Sequence, residues 1–163
     1  GPVIPQRLWS PLYRRIREVV VDNSPLCMPI FFVHHDTGRV GIALSEALAK
    51  KHYVLHGDGH AVDLGGKVTT HIRILWKGYH EFKRQIQIQD QTRERNPIIL
   101  GKLVEHVART VQRFLAQPPP VVEGEYDTRW RVGSGGIQIN DIVLVGVVHT
   151  SAGSWQPLLR LSR

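Results

Sequence analysis

The sequence predicts an α+β fold: a mostly antiparallel sheet built from hairpins, with one long amphipathic helix over residues 97–116 packed on it. Three observations carry this expectation. Apolar and polar residues alternate with period two over 68–77 and again over 82–89, on either side of the turn-forming Lys77-Gly78-Tyr79-His80-Glu81. Leu100, Leu103, Val104, Val107, Val111, Phe114 and Leu115 recur at helical spacing and form one apolar stripe. Ile142 to Val148 is apolar throughout but only of strand length.

The elements follow in order. Ser10-Pro11 can cap and start a short helix over 11–18, with Trp9, Leu12, Tyr13 and Ile16 at helical spacing. The β-branched run Val19-Val20-Val21 turns the chain toward extended structure, and Asp22 to Pro25 reads as a loop. Ile30 to His35 and Arg39 to Leu44 read as two strands around Asp36-Thr37-Gly38. Ser45 is placed to cap a short helix through Lys51. His56 to Gly66 is a glycine-rich loop.

In the 68–89 hairpin, Thr69, His71, Arg73, Lys83, Gln85, Gln87 and Gln89 share the outward phase. Thr70, Ile72, Ile74, Phe82, Arg84, Ile86 and Ile88 share the inward one. Asn96 reads as the cap of the long helix and Pro97 as its first residue. Pro118-Pro119-Pro120 ends it and forms a stiff connector to the C-terminal segment. There Thr128 to Val132 reads as a short strand, and Ile142–Val148 pairs with Trp155–Leu161 as a hairpin. Pro157 points to an edge strand. The three hairpins join one sheet or two; local pattern does not decide. All 163 residues fit a single domain.

The composition is that of a globular protein, with 42% hydrophobic residues in periodic clusters, which argues against global disorder. A single cysteine, Cys27, excludes an internal disulfide and every cysteine-based zinc finger. It points to a reducing compartment, nucleus or cytoplasm. No apolar run approaches membrane-spanning length, and the first residues lack the order of a signal peptide.

The charge is uneven. Residues 67–115 hold ten basic and four acidic residues, a surplus of six in a chain of net charge +7. Concentrated positive charge points to an anionic partner, nucleic acid or another polyanion. Arg73, Lys77, Lys83, Lys102, Arg109 and Arg113 are the phosphate-contacting candidates, and Trp76 and Tyr79 the candidates for stacking on bases. Lys102, His106, Arg109 and Arg113 form a stripe opposite the apolar side of the helix. Arg7, Arg14, Arg15 and Arg17 add a second basic cluster.

Two other readings compete. Trp9, Tyr13, Trp130, Trp155 and the hairpin edges would suit a protein-interaction or self-association module, with a protein partner or a homo-oligomer. His56-Gly57-Asp58-Gly59-His60 sets three ligand types at alternate positions, near His34 and His35. Zinc or another divalent metal there would suit a metal-dependent hydrolase. Gly65-Gly66-Lys67-Val68 lacks the first glycine and the Ser or Thr of a phosphate-binding loop. With no complete catalytic signature, the sequence reads first as a nucleic-acid-binding module and leans away from an enzyme without deciding the point.

Overall fold

The computed structural model describes residues 1–10 and 26–163. The helix expected over 11–18, the arginines in it, Tyr13, and the segment 19–25 lie outside the described residues. The architecture is α+β: a six-stranded, mostly antiparallel sheet and one long helix.

The strands are β1 (Ile30–Phe31), β2 (Ile42–Ala43), β3 (Thr69–Ile74), β4 (Phe82–Gln87), β5 (Ile142–Ser151) and β6 (Ser154–Leu161). The helices are α1 (Leu44–Leu48) and α2 (Leu100–Ala116). The order across the sheet is β1-β5-β6-β3-β4, with β2 also paired to β5. The hairpins therefore share one sheet. β3 and β6 join the two halves in parallel, at His71–Ser154 and Ile72–Trp155.

Those two register pairs decide how a proline fits inside a sheet. Pro157 does not mark an edge: β6 lies between β5 and β3. Beyond Ile72 and Trp155 the parallel strands diverge, and residues 2–7 fill the gap. The Leu161 amide donates to Pro2 O, Ile4 N to Leu159 O, and Arg7 N to Leu75 O. The Gln6 side chain spans the opening. Its amide nitrogen donates to Pro157 O at 2.7 Å, and its carbonyl oxygen accepts from Leu75 N at 3.1 Å. The missing proline N–H is tolerated because an inserted amide takes over the cross-strand bonding.

The β3–β4 hairpin follows the period-two reading. Thr70, Ile72, Ile74, Ile86 and Ile88 are buried, while Thr69, Lys83, Gln85 and Gln87 are exposed. α2 covers the inner face. Phe114 sits 5.3 Å from Trp76, 5.8 Å from Tyr79 and 5.8 Å from Phe82, centroid to centroid. Burying such aromatic area supplies several kcal/mol of hydrophobic stabilisation.

Five further sequence expectations are corrected. The long helix begins at Leu100, not Pro97. Ile98 and Ile99 stay extended: Ile98 N donates to Ile88 O, Val62 N donates to Ile98 O, and Ile99 bridges Ala61. Asn96 binds Asp90 instead of capping. The 30–44 hairpin shrinks to two-residue strands that each pair with β5, plus one bridge between Val33 and Val40. Ser45 caps nothing, since α1 starts at Leu44 after Ala43. Thr128–Trp130 is a 3-10 turn, because the Asp127 carboxylate accepts from Arg129 N and bends the chain.

Candidate functional site

The expected basic residues divide into two groups. The first is engaged. Arg73 lies on β3 with its side chain 11% exposed; Nε donates to Ser154 Oγ at 2.6 Å, one Nη pairs with Glu81, and the guanidinium lies 3.9 Å from the Trp9 ring centroid. Lys77 Nζ sits 3.5 Å from the Asp127 carboxylate. Trp76 and Tyr79 belong to the core. Trp76 Nε1 donates to Trp130 O, and Tyr79 Oη accepts from Val132 N. Buried rings cannot stack on bases, so the stacking platform expected at the hairpin tip does not exist.

The second group lies along β4 and α2, with Lys83 alone on the outward face of the hairpin. β4 closes the strand order, so its outer edge is unpaired among the described residues. Lys83 is exposed on it. Arg84 is half-buried between β4 and α2 and reaches the His106 carbonyl at 3.5 Å. Burial lowers its pKa, and the adjacent Arg113 and Arg109 lower it further. Along α2, Lys102 and Arg113 are exposed, and His106 and Arg109 half-exposed. His106 is pushed down to about 4, chiefly by burial and then by Arg84, Lys102 and Arg109. Among the described residues Arg84, Arg109 and Arg113 have no carboxylate partner. Three guanidinium groups thus crowd together uncompensated. Arg84 is the member the sequence reading missed as a site residue. Its signal was a charged side chain in the apolar phase of a strand.

The histidine loop has a different role. The Asp58 and His60 carbonyls accept from Gly101 N (2.8 Å) and Leu100 N (2.9 Å), satisfying the first amides of α2. The His56 and His60 side chains are exposed, and Asp58 partly so. Among the described residues no three His, Cys, Asp or Glu side chains converge to hold a metal. His35 Nδ1 instead pairs with its neighbour Asp36 at 2.7 Å.

A small polar network ties the loop to the helix. His52 lies between Glu105 (Nε2 to Oε1, 3.3 Å) and Asp58 (Nδ1 to Oδ2, 3.5 Å), while Lys102 Nζ reaches Glu105 at 3.3 Å. Burial raises the Glu105 pKa, but Lys102 and His52 more than offset it and hold the carboxyl below its ordinary value. A Cβ on Gly101 would meet His52 Nδ1 at 2.5 Å, so the ring needs a glycine there.

No protein-family profile, curated protein or solved structure matches this chain. The remaining candidates are placed as follows. Trp155 is fully buried, and Trp130 is partly buried against the core. Trp9 covers Arg73. Cys27 packs partly buried against the core, its thiol pushed up by burial and by Asp63. Among the described residues no helix is long and apolar enough to cross a membrane.

Proposed function

We propose that this domain is a nucleic-acid-binding module that contacts phosphates through the β4–α2 edge. The supporting observation is the uncompensated cluster of Arg84, Arg109 and Arg113, which lies on the side of the sheet that α2 covers. Arginine presents a planar fork of donors to phosphate oxygens, and a row of cations along a helix can follow a phosphate backbone. Arg73, Lys77 and Tyr79, occupied elsewhere, do not belong to this face. Nucleus or cytoplasm is the matching location.

The test is fluorescence anisotropy with labelled duplex DNA, single-stranded DNA and RNA across a salt series. Each phosphate neutralised contributes about −0.9 to the slope of log affinity against log salt for duplex DNA. Arg109→Glu with Arg113→Glu is expected to weaken binding strongly and flatten the slope by about two. Unchanged affinity in that double variant would overturn the proposal. The free outer edge of β4 favours a second reading, addition of a partner protein's strand. Loss of binding to a captured protein on Gln85→Pro, with nucleic-acid affinity intact, would favour that reading.

A further inference from the structure

We propose that a separate hollow, lined by no residue of α2, binds a phosphate monoester. It has a volume of about 440 Å³ and is lined by Arg129, Arg131, Arg163, Gly135, Gly136 and Asp141. Asp127 holds Arg129 and Asp141 faces Arg163, which leaves Arg131 as the unpaired cation among the described residues. Arg131 carries the argument. Among the described residues its guanidinium has no carboxylate partner; Nη2 contacts only the Ser134 carbonyl, at 3.4 Å. It lies across Gly135, where an added Cβ would meet Nη2 at 2.7 Å.

The loop beneath suits an anion. Gly133 and Gly135 both have positive φ, +98° and +76°. Gly136 N donates to Gly133 O and Ile137 N to Arg131 O, which fixes the turn. Among the described residues no acceptor meets the amide of Gly135, which lines the hollow. A free amide in a glycine-rich turn, beside a guanidinium, matches the oxygens of a phosphate.

The other charges do not cancel this. Asp141 Oδ2 is engaged by Gln138 N at 2.9 Å, and Oδ1 lies 3.8 Å from Arg163. Arg129 is held by the Asp127 carboxylate through Nε and Nη2, which fixes its plane. Ile137 and Leu161 add an apolar floor, so an organic phosphate fits better than the bare ion. Such a group occurs on a free small molecule or at the 5′ end of a nucleic-acid strand.

The experiment is a calorimetric titration of the full chain with adenosine monophosphate, adenosine, and a short oligonucleotide with a 5′-phosphate or a 5′-hydroxyl. Saturable binding of the monophosphate but not of adenosine is expected. Arg131→Gln should weaken it at least about tenfold, as loss of a charge-assisted pair. Gly135→Ala, which displaces the same guanidinium, should do likewise. A preference for the 5′-phosphorylated strand over the 5′-hydroxyl strand, lost in Arg131→Gln, assigns the site to strand ends. Equal binding of adenosine, wild-type affinity in Arg131→Gln, or no saturation by any phosphate ligand overturns the proposal. Arg109→Glu with Arg113→Glu leaves monophosphate binding intact, separating this site from the α2 face.

Discussion

His106 sits at the centre of the cationic face, and its protonation reports on its surroundings. Burial and three cations lower its pKa from 6.5 to about 4. In the unfolded chain the imidazole takes its proton near the ordinary value; in the fold it resists. Stability is therefore fully present above pH 6.5 and falls as pH drops toward 4. The urea midpoint should be lower at pH 5 than at pH 7, and His106→Gln should shrink that difference. An equal gap in the variant would place the dependence elsewhere. A bound polyanion reverses the local field and favours imidazolium. Affinity for duplex DNA should then rise from pH 7 to pH 5 more steeply in the wild type than in His106→Gln, read by anisotropy at constant salt.

At the scale of the element, α2 shows how neighbours override local preference. Its apolar stripe was legible because the helical period persists to Leu115. Its start was not, because Pro97 and Asn96 form a good local signal while Ile98 and Ile99 find strand-like partners far along the chain. Gly101 carries a further consequence. Alanine in a helix interior gains about 1 kcal/mol over glycine. Here the added methyl would strike the His52 ring, so Gly101→Ala should instead cost about 1–3 kcal/mol. A rise in melting temperature would refute this. Phe114→Ala, which empties the centre of the aromatic cluster, should cost about 3–5 kcal/mol in chemical denaturation with no change in mechanism of unfolding.

Across the whole molecule, the fold class was readable from two periodicities, 2 and 3.6. The sheet order was not, because it depends on two parallel register pairs and on a glutamine side chain. The candidate face was half-readable for the same reason. Charge pattern identified Lys102, Arg109 and Arg113, but only packing reveals that Glu81 and Trp9 occupy Arg73 while Arg84 joins the cluster. Gln6→Ala should leave Pro157 O and Leu75 N without their partner and cost about 1–3 kcal/mol, read as a lowered denaturation midpoint. An unchanged midpoint would show that water replaces the amide.

The wedge of residues 2–7 also sets an order of events during synthesis. Their partners at Leu159–Leu161 are made more than a hundred residues after them. β3, β4 and α2 are adjacent in sequence and can associate early, whereas the join between β3 and β6 requires closure of a loop of about eighty residues. The complete sheet therefore cannot assemble before β6 has been made. Until β6 emerges, the nascent chain carries an open β3 edge, and residues 2–7 wait for the strand that receives them.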